Sequence, residues 1–124
     1  MIDKLLWIAL GGSIGAIARF IIFQLFEKYH HTAFPWATLT INLIGSFLIG
    51  FLWAYFGKYF VSPGFRMFIF IGILGSFTTF STFSFDVFSL VQDGAFRSAI
   101  LYILLTNILG VALAFTGYYI CWCK

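Results

Sequence analysis

The 124-residue chain is predicted to be an all-α membrane protein of four transmembrane helices, on three observations. Its mean hydropathy is +1.03 and only 9% of its residues are charged, where a soluble domain carries about a quarter. Four apolar stretches run through it, each at least 19 residues long. Crossing the ~30 Å hydrocarbon core takes about 20 residues of helix, so each stretch is long enough. Polar residues gather in short links between these stretches, which leaves a single four-helix membrane domain over residues 1–124 and no room for a soluble one.

The elements follow in order. Residues 5–26 are broken only by Arg19, and a helix is expected over about 4–26. The link "EKYHHTAFP" ends in Pro35, which suits a helix start, and residues 32–57 carry no Asp, Glu, Lys or Arg, so the second helix is expected over about 35–57. "GKYFVSPG" holds the second turn. Residues 67–85 are uncharged and are followed by Asp86 and a further apolar turn, which places the third helix over about 65–92. "QDGAFR" is the third turn, and the uncharged residues 98–123 place the fourth helix over about 97–122. Tyr29, Trp36, Tyr55, Tyr59, Tyr118, Tyr119 and Trp122 lie near the helix ends, where an aromatic belt belongs.

The triplet Ala16 to Ala18 has the form of a signal-peptidase site. The leading "MIDK" sets one acid against one base, however, and three more spans follow, so an uncleaved first helix is expected. The seven basic residues are scattered singly, with no run that would point to nucleic acid. Lys4, Lys58, Arg66 and Lys124 fall on one side, Lys28 and Arg97 on the other. Four against two is a weak orienting signal, compatible with insertion in both directions and pairing with an inverted copy. Cys121 and Cys123 have neither metal-site nor redox-motif spacing. No nucleophile–base pair, metal cluster or phosphate loop is present, so an enzyme is not expected.

Small residues recur four apart at Gly11 and Gly15, Ser46 and Gly50, and Gly110 and Ala114. Such pairs let helices approach closely in lipid, and packing within one chain explains them as well as association between chains does. Arg19 stands inside the first span, where a cation either marks a functional path or snorkels to the far surface. Asn42 stands ten residues into the second span. Its amide serves an interhelical hydrogen bond, the plainer reading, or aims a donor at an anion.

The segment "GILGSFTTFSTFSF", residues 72–85, interleaves Phe77, Phe80, Phe83 and Phe85 with six hydroxyls. Gly72 and Gly75 are poor helix formers, and the hydroxyls can bond freed carbonyls, so a break near mid-membrane is expected here. Irregular backbone at that depth survives only when buried in protein or lining a cavity. Phe80 and Phe83 share a face if helix resumes beyond the break. A phenyl edge is electropositive, and can face an anion without holding it as tightly as a full charge would. Ser81, Thr82 and Ser84 offer donors that replace lost water.

"GILGSFTTFSTFSFDVF" resembles the signature of the small fluoride-channel family called Fluc or CrcB, most distinctively in "TTFSTFS". "GGSIGAIARF" and "TLTINLIGSFLIG" resemble that family's first and second helices, and the match covers essentially the whole chain. The resemblance implies an antiparallel dual-topology homodimer with two fluoride pores and a central structural sodium ion, in the cell (inner) membrane. It implies Phe80 and Phe83 as pore rings, Asn42 as a donor to the ion, Arg19 beside an aqueous vestibule, and backbone carbonyls of Gly75 and Thr78 on the sodium. Two departures stand out. Asp86 replaces a common Glu, and "ILGVAL" is apolar where some members carry a Ser, although Thr106 and Asn107 are present.

Two rivals remain. A small multidrug-type proton antiporter needs a carboxylate in its first helix, and no acid lies between Asp3 and Glu27. A non-transport membrane assembly protein would use the small-residue pairs but gives no reason for hydroxyls among the rings.

Overall fold

The computed structural model describes residues 1–124 and is all-helical. Four helices are long and apolar enough to cross a membrane: α1 (Ile2–Tyr29), α2 (Trp36–Lys58), α3 (Pro63–Gln92) and α4 (Phe96–Trp122). Only 20 of the 124 residues are buried, and Leu10, Ile17, Phe20, Ile100, Ile108 and Phe115 all point outward, so the apolar surplus meets a hydrocarbon solvent.

Local chemistry sets the ends. Ser62 caps α3 by accepting the Phe65 N–H, with Pro63 at the first helical position. Gly94, at φ +75°, ends α3 in a left-handed turn. There the Ala95 N–H reaches the Leu90 carbonyl (2.9 Å) and the Gly94 N–H the Val91 carbonyl (3.1 Å), which is the Schellman pattern. On the opposite side, Lys58 donates to the last carbonyls of α4, those of Cys121 (2.5 Å) and Trp122 (3.1 Å). Arg66 donates to the Phe56 carbonyl at the end of α2. Two of the four cations on that side thus neutralise helix C-termini.

The glycines of the small-residue pairs on α1 and α2 make contacts within the chain. A side chain at Gly11 would strike the α3 backbone at Phe68 and Gly72, and one at Gly15 would strike Ile73 and Ser76, so α1 lies flush on the first part of α3. Gly50 sits against the Ala114 carbonyl and Gly117 against that of Phe47, which closes α2 on α4. The second part of α3 packs on the start of α4 around Leu39, Phe83, Leu90, Ala99 and Tyr102.

The helix α3 is interrupted, but not at its glycines. Its first part runs through Pro63–Met67, a wider π-type stretch Phe68–Leu74 and a last α turn Gly75–Phe77. Thr78 (φ −76°, ψ 154°) and Thr79 (φ −149°, ψ 114°) are extended, and Phe80–Gln92 resumes the helix. Gly75 is itself helical, and Gly72 serves the contact with Gly11. A second π-type stretch, Leu105–Leu109, lies in α4.

Candidate functional site

The break in α3 is held open by α2. The side-chain amide of Asn42 donates to the Thr79 carbonyl (3.0 Å), and its oxygen accepts the Thr79 N–H (2.8 Å). Both backbone groups would otherwise be orphaned in an apolar medium. Thr79 also caps the second part of the helix: its Oγ1 accepts the Thr82 N–H (3.2 Å) and donates to the Thr82 hydroxyl (3.0 Å).

These bonds decide which carbonyls go free. In an unbroken helix the Thr79 N–H would serve the Gly75 carbonyl and the Thr82 N–H that of Thr78. Here the first goes to Asn42 and the second to Thr79 Oγ1, so the carbonyls of Gly75 and Thr78 lose their helical donors.

A cavity of about 360 Å³ opens at the break, lined by α2, α3 and α4. Asn42, Gly75, Thr78, Phe80 and Phe83 all border it, together with Ser46, Thr106 and Asn107. None of its lining residues is charged. The π-type stretches flank it, supplying Phe70 and Leu74 from one side and Thr106 and Asn107 from the other. Such stretches widen a helix and recur at functional sites.

The two rings are neighbours with different surroundings. Their centroids are 5.5 Å apart, but Phe83 is 8% exposed and Phe80 is 78% exposed. Phe83 is seated on Tyr102 of α4 (5.1 Å between centroids), and the Tyr102 hydroxyl donates to Asp86 (3.0 Å). Asp86 is therefore half-buried and bonded across the helix pair.

Ser81 and Thr82 lie outside the cavity lining, and both hydroxyls meet Thr79 Oγ1, at 3.3 and 3.0 Å. The Thr82 hydroxyl accepts there and keeps its own O–H free to donate. Arg19 is also apart from the cavity, half-buried on α1 one turn beyond Gly15.

Three residues of the site carry no site role in the sequence reading, where Ser46 serves only as half of a small-residue pair. Thr79 is of a residue type that caps helix N-termini, but it stands inside a run of many hydroxyls and lacks the Glu or Gln three residues later that would mark it. Tyr102 is a phenol near the start of an apolar span, fully buried, so its hydroxyl needs a partner. Ser46 is one turn from Asn42 and shares its face.

Comparison with known proteins places the chain closely. Residues 6–118 match the family model described as "CrcB-like protein, Camphor Resistance (CrcB)". A protein of Salinibacter ruber named "Fluoride-specific ion channel FluC" is 44% identical over 114 residues, which cover 92% of this chain and 86% of that one. Another of that name, from Aquifex aeolicus, is 42% identical over 112 residues, 90% of each chain. A third, from Magnetococcus marinus, is 40% identical over 115 residues, covering 92% and 94%.

Proposed function

The chain belongs to the CrcB family, and from that premise we propose how it works: it is a fluoride-specific ion channel. It is a multi-pass protein of the cell membrane and not an enzyme. It lets F⁻ cross passively, down its gradient, and so lowers fluoride in the cytoplasm. The observation that carries the reading is the uncharged cavity where α3 breaks, because it combines donors and ring edges at membrane depth.

A small anion must shed water to enter, and donors must replace that water without trapping the ion. Asn42 has two amide N–H groups and gives one to Thr79, so the second is free for the ion. Phe80 and Phe83 offer electropositive edges. The Thr82 hydroxyl, near the exposed Phe80, adds a donor, and Ser81 joins it by turning its proton from Thr79 Oγ1 to the ion. Arg19 draws anions toward a vestibule through its charge. With no fixed charge in the lining, each contact stays weak enough to release the ion.

The working unit is an antiparallel homodimer of oppositely inserted copies. Three features support it: the four-to-two division of basic residues, of which Lys58 and Arg66 are engaged at helix ends, the exposure of Phe80, and the open position of Gly75. A sodium ion suits the donor set. No cluster of His, Cys, Asp or Glu is available, but the carbonyls of Gly75 and Thr78 are free, and hard cations take oxygen ligands. Two carbonyls are too few for a cage, so both subunits would contribute. Sodium, when bound, supplies the positive centre that holds these carbonyls together.

The reading is tested by growth. Expression in a bacterium stripped of its own fluoride export should restore growth in fluoride medium. A correctly inserted protein that leaves the host fluoride-sensitive would contradict it.

A further inference from the structure

On α2, Asn42 and Ser46 are four residues apart and so occupy one face, about 6 Å apart along the axis. The paired bonds from Asn42 to Thr79 fix that face toward the break, and Ser46 borders the same cavity. On α4, Thr106 and Gly110 stand in the same relation. The Thr106 hydroxyl is buried and has no partner in the subunit. Gly110 is buried with no side chain to offer, and a Cβ placed there would come 3.5 Å from the Ser46 hydroxyl oxygen.

Hydroxyls inside helices commonly return their proton to the carbonyl four residues back. Ser13, Ser76, Thr78 and Thr116 all do so in this chain, to Ala9, Gly72, Leu74 and Ala112. Ser46 and Thr106 are not among them. Two hydroxyls on facing helices thus remain free in the cavity lining between α2 and α4, and Ser46 fills the level at which α4 has none.

We propose that Ser46 is a donor to the permeating anion, one helical turn beyond Asn42, and that with Thr106 it carries fluoride along the α2–α4 seam. This rests on the fluoride-channel reading. The Ser46 hydroxyl turns its proton toward the ion and replaces one water of its hydration shell. Because Gly110 leaves room opposite, the hydroxyl could equally be presented from α4.

That exchange is the test, read by fluoride efflux from liposomes holding equal amounts of dimer verified on a sizing column. Ser46→Ala should lower efflux about tenfold or more, as expected for losing a hydrogen bond to a charged group. The double variant Ser46→Ala with Gly110→Ser returns a hydroxyl to the same level and should recover most of the flux. Ser46→Ala with Gly110→Ala adds the same bulk without the hydroxyl and should stay low. Ser46→Cys, of similar shape with a weaker donor, should fall between and covers the case in which the alanine variant folds poorly. Wild-type flux in Ser46→Ala, or equal rescue by Ala and Ser at position 110, would overturn the proposal. A wild-type protein that passes no fluoride would instead overturn the channel reading beneath it.

Discussion

Asn42 and Thr79, on different helices and 37 residues apart in sequence, exchange two hydrogen bonds of 3.0 and 2.8 Å that convert a helix break into a stable feature. One side chain satisfies both backbone groups of the residue at which α3 leaves its helical path. Asn42→Ala should orphan both, at about 1–3 kcal/mol each, well above the ~0.6 kcal/mol typical of a single interhelical bond in membranes. Thermal unfolding in detergent should show a clear loss. Asn42→Asp keeps the acceptor for the N–H but turns an unprotonated carboxylate oxygen on the Thr79 carbonyl and sets a negative charge beside the anion path, so it should be destabilised as well and conduct poorly. An alanine variant that unfolds at the wild-type temperature would show that the break does not depend on Asn42.

The rings predict a separation of packing from transport. Phe80 is 78% exposed, so Phe80→Ile should barely alter stability. Phe83 is wedged between Phe80 and Tyr102, and Phe83→Ile should cost a modest packing term, below ~1.5 kcal/mol. Both substitutions remove an electropositive ring edge, and both should abolish fluoride flux while the protein elutes as before. Normal flux in the two variants would reduce the rings to packing.

The freed carbonyls of Gly75 and Thr78 predict a sodium dependence of assembly. Exchange into sodium-free buffer with a large organic cation should loosen the dimer on a sizing column and lower its unfolding temperature, and sodium should restore both. A dimer unchanged by the exchange would remove the proposed ion.

Orientation gives a genetic test. Several lysines added to one loop should force a single topology. Each fixed form should be inactive alone, and the two opposite forms should recover flux when co-expressed. Full activity from one fixed orientation would exclude the antiparallel pair.

Much of this arrangement was legible in the sequence, for local reasons. Uncharged runs of membrane length, bounded by Pro, Gly and charged links, define the spans, and "TTFSTFS" marks an interrupted helix. The exact point of interruption was not legible. The glycines have poor helix propensity, yet Gly72 is small so that Gly11 can approach, and Gly75 stays helical. The break falls at Thr78 and Thr79 because a side chain from another helix captures the Thr79 backbone, a long-range pairing that no local pattern encodes. The support of Phe83 by Tyr102, itself tied to Asp86, was hidden for the same reason. The roles of the small-residue pairs were equally open until their partners were known: Gly11 and Gly15 serve α3, and Gly50 serves α4.

The central claim is that the uncharged cavity at the α3 break passes fluoride and discriminates against a larger halide. Its most direct test is ion efflux from liposomes holding purified wild-type protein, read with fluoride and chloride electrodes under matched gradients. The account predicts rapid fluoride release through the protein and chloride release no faster than from protein-free liposomes. Equal release of both ions, or release of neither, would contradict it.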